Sequence, residues 1–187
     1  VFQYLEKSVL TGDPEAREKI HNASTMAGMA FANAFLGMSH SMAHKIGGVH
    51  HTVHGRTNAI LLPYVIRYNG TRPSKTTTWP KYNYWKADEK FQDIARMLGL
   101  PCSTPEEAVE AYAKAVYELG VKVGIKMNFK DQGIDEQTWK DSLHEIALLA
   151  YEDQCSPANP RLPMVADMEE ILADAYHGYE KQPGRRK

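Results

Sequence analysis

The histidines carry the first chemical signal in this sequence. Five of the eight, His40, His44, His50, His51 and His54, fall within a window of fifteen residues. That density exceeds what surface solubility requires and is foreign to an ordinary core, and imidazole is a favoured ligand of transition metals. His40 and His44 are four residues apart, so on a helix they share one face, separated by about 40° around the axis. Gly47-Gly48 is expected to end that helix and reverse the chain, after which His54-Gly55 arrives on the returning segment. Two ligands from different segments meeting at one point is how a helical domain builds a metal site, with further ligands drawn from elsewhere. The competing reading is a set of structural histidines satisfied by hydrogen bonds, and spacing by itself names no metal.

The elements that would position these residues are helical. Asp13-Pro14 is a helix start, Asp13 accepting an orphan backbone N–H and Pro14 fitting the first turn. From Glu15 to Leu36 the pattern is polar for a turn or two and then rich in Ala, Met and Phe, as in MAGMAFANAFLG. Such a helix, apolar on nearly all sides, belongs in the centre of a bundle, and Gly28 with the alanines would let a neighbouring helix or a ligand come close. Ala59 to Ile66 contains Pro63, which a central strand would reject, so a helix starting near His54 and kinked by the proline is predicted. Gly70 to Tyr84 has loop composition. Trp85 to Leu98 places Phe91, Ile94, Ala95 and Leu98 on one helical face. Thr104-Pro105-Glu106-Glu107 is a capping box that opens a helix with the stripe Ala108, Ala111, Tyr112, Ala115, Val116, Leu119 and Val123. After Asp135 a further helix aligns Trp139, Leu143, Ile146, Ala147 and Ala150. Cys155 to Pro163 is a loop punctuated by proline, Met164 to Tyr176 the last helix, and QPGRRK a frayed tail. Met26, Met29 and Met38 read as core filler, Cys102 as inert in a turn, and Asp141 to His144 as a solvated face. The fold class is therefore all-α, one helical domain over residues 1–187.

Composition narrows the class further. With 187 residues, 43% of them hydrophobic, the chain can bury one substantial core. A net charge of -1 without basic or acidic blocks disfavours nucleic acid and anionic membrane surfaces. No apolar run is long enough to span a bilayer, and VFQYLEKSVL has no basic region or cleavage pattern of a signal peptide. Two scattered cysteines, Cys102 and Cys155, make no disulfide framework and fit a reducing compartment, the cytoplasm. The chain opens without Met inside an amphipathic helix marked by Phe2, Leu5 and Val9, and so reads as a piece of something longer.

The order HSMAHKIGG, then VHG, then NAILLPYVIRYN resembles the histidine-bearing signature of the iron-containing alcohol dehydrogenases, whose C-terminal domain is a dehydroquinate synthase-like helical bundle. More narrowly, IHNASTMAGMAFANAFLGMSHSMAHKIG, the loop preceding FQDIARMLGL, and DQCSPANPRLPMVADMEEIL are similar to the C-terminal alcohol dehydrogenase part of bifunctional aldehyde-alcohol dehydrogenases. The likeness covers essentially the whole chain. It implies interconversion of a short-chain aldehyde such as acetaldehyde and its primary alcohol by hydride transfer, with NAD and Fe²⁺ as cofactors. His40 and His54 match the two metal-binding histidines. An aspartate and a further histidine, contributed from before this stretch, complete the family's four ligands; Asp13 and His21 do not stand in the required Asp-x-x-x-His pattern. His44 matches the catalytic histidine beside nicotinamide and substrate, Phe31 an aromatic that packs against both, and Cys155 a cysteine of the pocket wall. Val53 stands where the family commonly has proline, and the adjacent His50 and His51 are not assigned to the metal. The family's nucleotide-binding half, with its Gly-rich phosphate loop, is absent from these residues. The resemblance also implies a homo-oligomer, and bifunctional relatives assemble into filaments.

The residue types suit that chemistry on their own terms. Aldehyde reduction needs an electrophile at the carbonyl oxygen, which a divalent cation supplies without prior protonation. Neutral imidazoles with one carboxylate suit Fe²⁺ and also Zn²⁺. With two of four ligands and no phosphate loop, these residues alone are expected to be catalytically silent. The alternative from a different class is a non-catalytic assembly fragment whose histidines are structural.

Overall fold

Short polar side chains start several of the helices where the sequence places them. In the computed structural model, which describes residues 1–73 and 85–179, Asp13 Oδ1 accepts from the Ala16 N–H at 2.8 Å, and Asp135 Oδ1 from the Thr138 N–H at 2.9 Å. Thr104 Oγ1 accepts from the Glu107 N–H at 3.2 Å, but the returning Glu107 carboxylate takes the N–H of Ser103 rather than that of Thr104. The α-helices among the described residues are α1 (Leu5–Thr11), α2 (Pro14–Ala34), α3 (Met38–His50), α4 (His54–Gly70), α5 (Ala87–Met97), α6 (Pro105–Lys122), α7 (Glu136–Glu152) and α8 (Val165–His177). A single 3-10 turn, Ser156–Ala158, interrupts the loop between α7 and α8. No strand occurs among the described residues, and none of their helices is long and apolar enough to cross a membrane. Most of the predicted loop up to Tyr84, and the predicted tail QPGRRK, lie outside the described residues.

Helical spacing decides which faces are buried. Met38, Met42 and Ile46 recur every fourth residue on α3 and are fully buried, against Ile60, Leu61 and Tyr64 of α4, Trp139 and Ile146 of α7, and Met168 and Leu172 of α8. A second, smaller cluster joins Ile66 of α4 to Val109 and Ala113 of α6, with Phe91 of α5 packed on it. Gly70 permits that approach, since a Cβ there would lie 2.5 Å from Val109 Cγ2. Pro63 sits inside α4, as predicted, in the buried part of the helix. On α6 the buried line is Ala108, Val109, Ala113 and Gly120, rotated slightly from the expected stripe, whose members Ala111, Tyr112 and Val116 are half-buried.

Two expectations are corrected. Gly47-Gly48 does not end α3, which continues to His50; the chain leaves the helix at His51, in the left-handed region at φ 54°. The helical cost of two glycines, about 1 kcal/mol each, is outweighed by what the last turns gain. Ile46 is fully buried, and His50 stacks on Trp139 with ring centroids 5.3 Å apart while its Nε2 lies 2.9 Å from Ser142 Oγ. The apolar helix α2 is not central either. Only Ala16 of it is buried, Met26 and Met29 are 63% and 64% exposed, and a Cβ on Gly28 would meet nothing within 4 Å. Its packing partner is α1, and its apolar face is left open; of the three methionines expected in the core, only Met38 is there.

Candidate metal centre

Burying Met38, Met42 and Ile46 directs the rest of α3. His40 lies two residues beyond Met38, about 200° around the helix, so His40 and His44 face away from the core that the methionines enter. The helix start is fixed by a buried amide: Asn159 Oδ1 accepts from the Met38 N–H at 3.2 Å, in a space that exists because residue 37 is glycine. Asn159 also donates to Asn69 Oδ1 at 2.7 Å and to the Arg161 carbonyl at 2.6 Å, which ties α3, the end of α4 and the 155–163 loop together. The turn from His51 to Val53 is held by Thr57, whose hydroxyl contacts Thr52 Oγ1 at 2.7 Å and the Val53 carbonyl at 3.1 Å. α4 thereby begins alongside the first half of α3.

The result is a histidine triangle. Ring centroids of His40 and His54 lie 5.3 Å apart, those of His44 and His54 5.2 Å apart and nearly parallel, and those of His40 and His44 6.2 Å apart. Burial, with the nearby His54 and His44, holds His40 below the usual histidine range, so its imidazole is neutral near pH 7 and its lone pair free to donate. His54 Nε2 lies 3.2 Å from the Asn58 amide nitrogen, itself oriented by Ser39 Oγ at 2.9 Å; in that orientation Nε2 is the accepting nitrogen. Phe31, near the end of α2, lies 6.3 Å from the His40 ring and is 46% exposed. Cys155 is buried behind His44, and burial with the Asp153 carboxylate pushes its thiol up to about 11. The structure thus brings Phe31, His40, His44, His54 and Cys155 into one region. His50 and His51 lie apart from it, lining a cavity of about 240 Å³ with Arg56, Gln132 and Ile134.

A second donor group overlaps the first. One ligand atom each from His44, Asp153 and Cys155 can be chosen so that all lie within 4.8 Å of one another. Its chemistry disfavours a cation. Lys45 Nζ is 3.0 Å from Asp153 Oδ2, and the carboxylate also accepts from the Cys155 N–H at 3.0 Å. Burial opposes charge on Asp153, but these donors, with the Cys155 thiol and His44, hold it far below the usual carboxylate range. Its charge is therefore already matched by an ammonium, and the thiol stays protonated. The His40–His54 pair, with its rings 5.3 Å apart and His40 held below the usual histidine range by burial, is the better start of a metal site. Asp153, Lys45, Asn58 and Asn159 gave no signal of their own in the sequence; Asp153 stands in DQC and Lys45 in HKIGG, each a neighbour of a residue that did.

Comparison with known proteins bears on the same region. Residues 1–176 match the Fe-containing alcohol dehydrogenase family, C-terminal. Over all 187 residues the chain is 75% identical to an aldehyde-alcohol dehydrogenase of Streptococcus pneumoniae serotype 2, strain D39, and spans 21% of its length. Among solved structures, an alcohol dehydrogenase from Oenococcus oeni superposes with a TM-score of 0.79 at 32% identity, covering 94% of this chain and 42% of that one. An iron-containing alcohol dehydrogenase from Thermococcus thioreducens superposes at 0.76 with 34% identity, covering 95% and 41%. The chain thus spans about a fifth of the aldehyde-alcohol dehydrogenase it matches.

Proposed function

This chain belongs to the iron-containing alcohol dehydrogenase family, as its C-terminal part, and from that membership we propose that it supplies the metal-binding and substrate-facing helices of an NAD-dependent alcohol dehydrogenase. The reaction is the interconversion of a short-chain aldehyde, such as acetaldehyde, and its primary alcohol. One observation carries the reading: two imidazoles from different helices, His40 and His54, converge at 5.3 Å with a third, His44, against them. That donor set fits a divalent metal, Fe²⁺ foremost with Zn²⁺ also admissible.

His40 and His54 would hold the metal, together with ligands from outside these residues. When bound, the metal supplies an electrophile for the substrate oxygen and NAD the hydride acceptor. His44 holds or moves a proton at that oxygen, being within reach of the pair without belonging to it. Phe31 and the open apolar face of α2 exclude water from the substrate side, and Cys155 limits the pocket as an uncharged wall. Free cysteines, one of them buried, accord with a reducing, cytoplasmic setting, and a homo-oligomer, filamentous in a bifunctional context, is the assembly the family reading entails.

Elemental analysis and turnover together test this. In the intact enzyme His40→Ala and His54→Ala are each expected to lose stoichiometric metal while helical circular dichroism persists, and His44→Ala to keep its metal but lose turnover. Full metal retention in both ligand variants would leave the histidines structural and refute the proposal.

A further inference from the structure

Asp153 touches two of the non-ligand site residues, His44 and Cys155, which lie far apart in the sequence. Its Oδ2 lies 3.3 Å from His44 Nδ1, and its Oδ1 accepts from the Cys155 N–H at 3.0 Å, while Lys45 closes on Oδ2 at 3.0 Å. The carboxylate is 8% exposed, so it is fixed by these partners rather than by solvent. A carboxylate can only accept, so the nitrogen facing it must carry the proton.

We infer that Asp153 is a positioning residue that keeps the His44 ring proton on Nδ1, leaving Nε2 as the free nitrogen on the substrate side. The inference rests on the proposed role of His44 and adds to it the group that sets which nitrogen does the work. Which ring nitrogen of a histidine is protonated is decided by the hydrogen bond the other one makes. Without such a partner an imidazole prefers the proton on Nε2, the nitrogen that here must stay free. Lys45 serves the same end, since its ammonium 3.0 Å from Oδ2 fixes the carboxylate that faces His44. The same carboxylate anchors the backbone of Cys155, so the wall and the histidine are set from one point. A metal role for the trio is disfavoured by Lys45 at 3.0 Å and by the protonated thiol. A purely structural ion pair would need only Lys45, and would leave the tautomer of His44 indifferent to Asp153.

Histidine tautomers are read directly by NMR of ¹⁵N-histidine-labelled protein, with His44 assigned by its absence in His44→Gln. The wild type is expected to show His44 protonated on Nδ1, and Asp153→Ala to show it protonated on Nε2, with His40 and His54 signals in place. If Asp153→Ala fails to fold, the isosteric Asp153→Asn is measured instead, with a reduced Nδ1–H fraction expected. In the metal-loaded enzyme Asp153→Asn should retain its metal and its aldehyde KM and lose about 100-fold in kcat, the lower end of what a positioned acid–base group contributes. A His44 tautomer unchanged by both substitutions, or loss of metal in Asp153→Asn, overturns the inference. If His44→Ala kept full turnover, the proposed role of His44 would fall while the tautomer result still decided Asp153. An inactive His44→Ala beside an unchanged tautomer would sink the Asp153 inference alone.

Discussion

Replacing Asn159 with alanine should destabilise the protein more than any surface change, although Asn159 contacts no proposed site residue. Its side chain is 1% exposed and serves three segments at once: the Met38 N–H at 3.2 Å, Asn69 Oδ1 at 2.7 Å and the Arg161 carbonyl at 2.6 Å. Truncation orphans at least the Met38 N–H and the Asn69 carbonyl oxygen, and Asn69 is itself 7% exposed. At about 1–3 kcal/mol for each buried group left unpaired, the loss comes to about 3 kcal/mol. For a chain of this size each kcal/mol lowers Tm by about 2–4 °C, so a fall of about 6–12 °C is expected in thermal unfolding followed at 222 nm. Because Met38 begins the helix that carries His40, metal affinity should weaken in the same variant. A fall in Tm under about 2 °C would refute the reasoning, since it would mean that the network makes no net contribution over solvent.

Other expectations are simpler to read. Phe31→Ala should raise relative kcat/KM for bulkier aldehydes, because discrimination among small apolar groups is a matter of packing; an unchanged preference series in both Phe31→Ala and Cys155→Ala would take these residues out of the pocket. Asp153, held below its usual value when folded, contributes stability that is complete above its unfolded pKa near 3.9 and is lost as pH falls through the folded value. Urea midpoints should therefore decline on acidification below about pH 4, and less steeply in Asp153→Asn; parallel slopes would remove Asp153 from the acid limb.

Helix starts were legible in the sequence because their chemistry is local. Asp13, Thr104 and Asp135 each satisfy a backbone N–H three residues on, and nothing distant competes. Burial was legible where periodicity had an inner partner, as in Trp139, Ile146, Ala147 and Ala150. It misled on α2, where an apolar surface is a property of the residues but its cover is a property of whatever lies beside it. Gly47-Gly48 misled for a related reason: a local stop signal lost to the long-range stacking of His50 on Trp139. The same limit hid Asp153 and Asn159. Each acts on residues roughly a hundred positions away, a separation at which one sequence carries no spacing to read. His40, His44 and His54 were visible as a cluster since all three lie within one helix-turn-helix passage, whose short turn guarantees their proximity.

The unequal burial of the methionines makes the protein its own footprinting reagent. Peroxide converts exposed thioethers to sulfoxides and spares enclosed ones. Met26 and Met29 on α2 are open at 63% and 64%, whereas Met38, Met42 and Met168 are sealed at 0%. A brief pulse of oxidant followed by peptide mass spectrometry should therefore label α2, together with Met97 of α5 at 86% and Met164 at 54%, and leave α3 and α8 unmarked. The sealed sulfurs report whether the core is intact. The open ones of α2 report whether anything has come to lie on that helix, since a covering surface would slow their oxidation without any probe having been attached.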